Sequence, residues 1–90
     1  MPRILLIDDD AELGPPLAAY FQRFALSLVC ALKPSAGLGL LRGTPAHSSF
    51  DAAILDVMLP EMDGFELCRL IRRESDIPII MLTARGDVMD

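Results

Sequence analysis

The sequence has little of what several protein classes require. It contains only two cysteines, Cys30 and Cys68, in neither C-x-x-C nor zinc-ligand spacing. Both lie in apolar segments, so we expect buried, reduced thiols. No apolar run exceeds about half a dozen residues, far short of a membrane span. The amino terminus lacks the pattern of a secretory signal, and we therefore expect a cytoplasmic chain without a membrane partner.

Basic residues are also scarce. Eight Lys and Arg face 13 Asp and Glu, which gives a net charge of −5 and no electrostatic basis for binding nucleic acid. Arg69, Arg72 and Arg73 are interpreted as a solvated helix face. The single histidine, His47, lies in a turn-rich loop and receives no role. Ninety residues, 52% of them hydrophobic, allow one small folded domain.

Short apolar runs alternate with segments of helical periodicity. Strands are predicted over residues 4–8, 28–32, 52–56 and 78–82, and helices over residues 14–27, 35–41 and the segment after 63. The tail, residues 84–90, is predicted to be a loop that enters another helix. This alternation predicts βαβ units and a parallel sheet with right-handed crossovers.

Local signals fix where the helices should begin. Pro15 and Pro16 fit only the first turn of a helix, where a missing N–H costs nothing. Ser35 is a candidate N-cap for the second helix, and Asp63 for the third. Gly64 is interpreted as a turn residue with positive φ.

Three aspartates follow predicted strands at the point where each strand ends. Asp8 and Asp9 follow the first strand, and Asp56 ends the third. Carboxyl ends of parallel strands meet at one edge of a sheet, where open α/β folds place their ligands. A group of carboxylate oxygens there suits a hard cation such as Mg2+. Asp10 points the other way if the pleat continues, and Thr83 adds a hydroxyl after the fourth strand.

These acids and the threonine, with the segment over residues 56–64, resemble the receiver domain of bacterial response regulators. Residues 79–87 resemble the OmpR/PhoB-type subfamily. The resemblance implies an α/β, flavodoxin-like (CheY-like) open parallel sheet of order 2-1-3-4, with helices on both faces. Residues 1–90 are then the N-terminal part of a receiver domain, without the last α4-β5-α5 portion.

The resemblance also implies a metal site. Asp9 and Asp56 would bind Mg2+ directly, and Mn2+ could substitute for it. Asp8 would hold the ion through water, and the main-chain carbonyl of Met58 would supply another ligand.

The same resemblance implies a phosphoacceptor signalling domain rather than an enzyme. Asp56 would accept a phosphoryl group from a sensor histidine kinase. Thr83 would contact the phosphoryl group and move after phosphorylation, and the backbone N–H groups of Met58 and Ala84 would complete the phosphate cradle. Control of transcription, and any contact with DNA, would pass through an output domain outside this chain.

Some features expected of a whole receiver lie outside this sequence. The lysine of the fifth strand is one, and Lys33, the only lysine, follows the second strand and cannot replace it. Strand four would then present an unpaired apolar edge at Ile79, Ile80 and Met81. We expect marginal stability, or a homodimer or strand-exchanged association through that edge, and no switching on phosphorylation.

Two other readings of the acids remain open at the level of sequence. A haloacid-dehalogenase-type phosphatase or phosphotransferase also uses a strand-end aspartate and Mg2+. It requires Asp-x-Asp-x-Thr/Val, of which residues 8–12 supply only the acid spacing. A nucleotide-binding α/β domain requires a glycine-rich turn after the first strand, where this chain has three aspartates.

Overall fold

The computed structural model describes residues 1–43, 50–82 and 88–89, so His47, Thr83 and Ala84 lie outside the described residues. Strands and helices alternate in chain order, as predicted. The elements are β1 Arg3–Ile7, α1 Gly14–Gln22, β2 Ser27–Ala31, α2 Pro34–Leu41, β3 Ala52–Asp56, α3 Gly64–Arg72, β4 Ile79–Leu82 and β5 Val88–Met89.

The first four strands form a parallel sheet in the order β2-β1-β3-β4, which confirms the predicted topology. β1 lies between β2 and β3, and its Ile7 pairs with Leu55 of β3. Ile7 and Leu55 are fully buried, as continuous apolar strands covered on both faces should be.

The end of the chain differs from the prediction. Val88 and Met89 form β5 and pair antiparallel with Leu82 and Met81. The prediction of a helix in the tail is therefore wrong at these two residues. The prediction of an unpaired edge along strand four is wrong at Met81, because the main chain of Met81 pairs with β5.

The helices cover both faces of the sheet. Successive residues of a strand point to opposite faces, so Leu6 and Ile7 mark the two sides. Gly14 of α1 packs on Cys30, which pairs with Leu6, whereas Gly37 of α2 packs on Ile7. The main core lies on the Ile7 side, under α2 and α3; its members include Leu5, Ile7, Leu38, Ala53, Leu55, Leu67, Ile71 and Met81.

Helix α1 is shorter than predicted. Its two prolines lie in the first turn, as expected. The helix ends because Ala25 adopts a left-handed φ of 58°, the N–H of Leu26 donates to the carbonyl of Phe21, and the N–H of Ala25 donates to that of Gln22. This pair of bonds is the Schellman motif, in which alanine takes the place that glycine usually holds.

The two cysteines differ from each other in exposure. Cys30 is exposed, which contradicts the predicted burial, because it lies on β2, a strand at the edge of the sheet. Cys68 is partly buried on α3. Arg69, Arg72 and Arg73 are exposed, as predicted for a solvated helix face. Within the described residues, no helix combines the length and the apolar character needed to cross a bilayer.

Candidate metal and phosphoacceptor site

The three aspartates singled out from the sequence come together at the carboxyl edge of the sheet. β1 and β3 are in register at Ile7 and Leu55, so Asp8 and Asp56 follow side by side. Carboxylate oxygens of Asp8, Asp9 and Asp56 all lie within 4.8 Å of one another. Asp9 is exposed, and Asp8 and Asp56 are partly buried.

The loop after β1 is shaped by its own acids. The backbone N–H of Asp10 donates to Oδ1 of Asp8 at 2.9 Å, and the N–H of Glu12 donates to Oδ1 of Asp10 at 2.9 Å. Asp10 thus bonds its own loop and lies outside the acidic cluster of the described residues. These side-chain-to-backbone turns fix the direction in which the chain leaves β1.

Asp56 is held where β3 passes into the next loop. The backbone N–H of Met58 donates to Oδ1 of Asp56 at 3.3 Å. The N–H of Val57 donates to the carbonyl of Leu82 at 3.0 Å, so the ladder between β3 and β4 continues to this point. Met58 itself is 68% exposed.

The β3–α3 loop is tied to α2 by a residue that the sequence reading missed. Both carboxylate oxygens of Glu61 accept hydrogen bonds from Ser35, one from its N–H at 2.9 Å and one from its hydroxyl at 3.1 Å. The bond from the backbone, supported by that from the hydroxyl, lowers the pKa of Glu61. Glu61 adopts a left-handed φ of 70°, a conformation rare for a side chain of this type.

This bond also corrects the prediction for Ser35. Ser35 is not the N-cap of α2: Lys33 occupies that position without a side-chain bond, and Pro34 begins the helix. The N–H of Ser35 is satisfied instead by Glu61, which lies 26 residues further along the chain. A partner so distant leaves no local signal in the sequence.

The start of α3 confirms one prediction and corrects another. Asp63 is the N-cap, and its Oδ1 accepts the N–H of Glu66 at 2.9 Å. Gly64 was predicted to adopt positive φ, but its φ lies outside the left-handed region. The residue with positive φ in this loop is Glu61.

Asp8 is the acid of this cluster whose pKa the fold raises. Partial burial and the nearby charges of Asp56, Asp9 and Asp10 raise the pKa of the Asp8 carboxyl, although the N–H of Asp10 opposes this. Three carboxylates with oxygens within 4.8 Å of one another repel one another, and a small divalent cation bound among them would neutralise their charge. An all-oxygen set of this kind fits Mg2+ or Mn2+ better than a softer metal.

We expect Asp8→Asn to stabilise the metal-free fold at neutral pH. Asn keeps the acceptor for the N–H of Asp10 and removes the charge. Because the folded pKa of Asp8 is raised, wild-type stability falls as pH rises from the ordinary carboxyl range through the raised value. The gain in stability of Asp8→Asn over the wild type should be largest at pH values above the raised pKa of Asp8. It should vanish at pH values below the ordinary carboxyl range. Thermal unfolding with a chelator, at several pH values, measures this; an equal advantage at all pH values would contradict it.

The fold and the acids at its carboxyl edge define an open α/β domain with a candidate cation site. The sequence matches the response regulator receiver domain family over residues 4–90. The chain therefore belongs to that family of two-component signalling domains.

A relative among transcriptional regulators is similar along the whole chain. The transcriptional regulatory protein AfsQ1 of Streptomyces coelicolor is 44% identical over 90 residues, which are 100% of this chain and 38% of AfsQ1. The chain thus spans less than half the length of this relative.

Solved structures share the fold. The non-phosphorylated HemR receiver domain from Leptospira biflexa is 34% identical, with a TM-score of 0.79 over 97% of this chain and 68% of that one. A chain from the complex of histidine kinase ThkA with response regulator protein TrrA is 28% identical, with a TM-score of 0.84 over 97% of this chain and 72% of that one.

Proposed function

We propose that this chain accepts a phosphoryl group from a sensor histidine kinase onto Asp56, in a reaction that depends on Mg2+. The observation that carries the proposal is the meeting of Asp8, Asp9 and Asp56, with carboxylate oxygens within 4.8 Å, at the carboxyl edge of a receiver-type sheet. Membership of the receiver domain family supports the same assignment.

The reaction needs a nucleophile that can reach a phosphoryl group carrying charge of its own sign. A carboxylate oxygen of Asp56 forms a bond to phosphorus while the bond from phosphorus to the donor nitrogen of phosphohistidine breaks. The released imidazole takes up a proton, and Asp56 becomes an acyl phosphate. When bound, Mg2+ would supply the positive charge that offsets the repulsion between the carboxylate and the phosphoryl group.

Different residues of the chain would bind the ion, orient Asp56 and contact the phosphoryl group. Asp9 and Asp56 would hold the ion directly, Asp8 would hold it through water, and the carbonyl of Met58 would complete the protein ligands. The N–H of Met58 donates to Oδ1 of Asp56 and so orients the carboxylate. Once Asp56 is phosphorylated, the same N–H would contact the phosphoryl group as part of the phosphate cradle. Thr83 and the N–H of Ala84 contact the phosphoryl group; both lie outside the described residues, so these roles rest on the resemblance of residues 79–87.

The signal would leave through a part of the protein outside this chain. Relatives named as transcriptional regulators, such as AfsQ1 and BaeR of Escherichia coli, extend well beyond the matched residues. We infer an OmpR/PhoB-type regulator that acts on transcription in the cytoplasm through a DNA-binding output domain. The domain catalyses at most its own phosphorylation and dephosphorylation.

Intact-mass measurement with acetyl phosphate and Mg2+ tests the proposal. We expect the mass of the chain to rise by one phosphate and no further. The measured quantity is the number of phosphates added per chain and not the rate of their addition, so slow phosphorylation would also support the proposal. Steady release of inorganic phosphate from a phosphate ester, without a modified protein, would instead indicate a phosphatase of the haloacid-dehalogenase type.

A further inference from the structure

Gly64 is in very close contact with the backbone of Asp56. A Cβ at Gly64 would overlap the carbonyl oxygen of Asp56 and lie only 2.9 Å from Cε of Met81. The N–H of Gly64 donates to the carbonyl of Val57 at 2.8 Å, a second contact between the start of α3 and the end of β3. Gly64 is buried.

Glycine is required at position 64 because the helix approaches the Asp56 peptide too closely for a side chain, not because of its backbone conformation. The φ of Gly64 is outside the left-handed region, so any residue could adopt it. What only glycine allows is the approach of the first turn of α3 to the peptide of Asp56. The carbonyl it touches is attached to the same Cα that carries the Asp56 carboxylate.

We propose that Gly64 is a positioning residue for Asp56. By seating α3 against the Asp56 peptide, it sets where β3 ends and holds the carboxylate beside Asp8 and Asp9. The inference rests on the proposed function, because that function requires Asp56 to share a cation with Asp9. A methyl group at Gly64 must displace backbone, which cannot rotate away as a side chain can.

Two other glycines of the chain provide matched controls. A Cβ at Gly37 would collide with the end of the Ile7 side chain, which can move, so Gly37→Ala strains the core without pushing on backbone. A Cβ at Gly39 meets nothing within 4 Å. Gly39→Ala should therefore stabilise α2, since alanine favours helix over glycine.

The experiment measures Mg2+ affinity by calorimetry and stability by urea unfolding for the wild type and the three alanine variants. We expect Gly64→Ala to weaken Mg2+ binding by about tenfold to a hundredfold, the range found when groups that orient metal ligands are altered. Gly37→Ala should lose stability while its folded form keeps the wild-type affinity. Gly39→Ala should gain stability and also keep the affinity.

A double variant separates positioning from packing. Met81→Val in the Gly64→Ala background removes the Met81 Cε that confines the new methyl group, so the start of α3, rather than the peptide of Asp56, can take up the displacement. We expect part of the Mg2+ affinity to return while stability falls further, a divergence that packing alone does not produce. If Gly64→Ala does not fold, this double variant is compared with Met81→Val alone by the same measurements.

The outcomes distinguish the inference from the function on which it rests. Wild-type affinity in Gly64→Ala, with a stability loss like that of Gly37→Ala, would overturn the inference and leave the proposed function standing. If the wild type itself binds no Mg2+, the proposed function fails. Metal-free NMR then decides the inference: shifts in Gly64→Ala centred on Asp56 and Val57 support it, and shifts confined to α3 overturn it.

Discussion

Asp56→Asn should abolish the mass increase of one phosphate that acetyl phosphate and Mg2+ produce in the wild type. Asparagine has nearly the same shape, and its Oδ1 can still accept the N–H of Met58. Its amide is not a nucleophile towards phosphorus, so the loss should be complete while the fold survives. Intact-mass measurement gives the result, and circular dichroism checks that the variant is folded.

Asp10→Asn is the matched control for that loss. Asp10 is adjacent to the pair in sequence but outside the acidic cluster of the described residues, and asparagine can still accept the N–H of Glu12. Phosphorylation of this variant should match the wild type. Undiminished phosphorylation of Asp56→Asn would show that another residue is the phosphoacceptor.

Mg2+ should raise the melting temperature of the wild type, and Asp9→Ala should remove most of that rise. At ten times the dissociation constant, binding to the folded state alone contributes about 1.4 kcal/mol. For a domain of this size that is a shift of several degrees. Asp8→Ala should weaken the effect less, because Asp8 is proposed to hold the ion through water.

Asp76→Ala controls for the general loss of a negative charge. Asp76 is exposed and precedes β4, at the opposite edge of the sheet from the acids. Its Mg2+-dependent shift should equal that of the wild type in a calorimetric scan. A shift in Asp9→Ala as large as in the wild type would exclude Asp9 as a direct ligand.

The sequence predicted best where local pattern and tertiary structure agree. Apolar runs that end abruptly in aspartate located β1, β3 and the meeting of Asp8 with Asp56, because parallel strands bring their carboxyl ends to one edge. Asp63 was predicted correctly as a cap because capping depends on residues within one turn.

The failures share a different cause, which is dependence on distant or geometric partners. Ser35 was assigned as a cap, but the acceptor came from Glu61 in another loop. Cys30 was predicted to be buried, but exposure depends on how much of an edge strand one helix covers. Gly64 was interpreted through φ, yet the constraint is a neighbouring carbonyl. None of these could be read from local sequence.

The side-by-side register of β1 and β3 has a consequence for folding. A slip of one residue would turn Asp56 to the other face of the sheet and bring Leu55 to where the nucleophile belongs. Only the native alignment, with Ile7 beside Leu55, places Asp8 and Asp56 abreast. A divalent cation bound by these acids would therefore stabilise the native register of β1 and β3 over every slipped register while the sheet assembles.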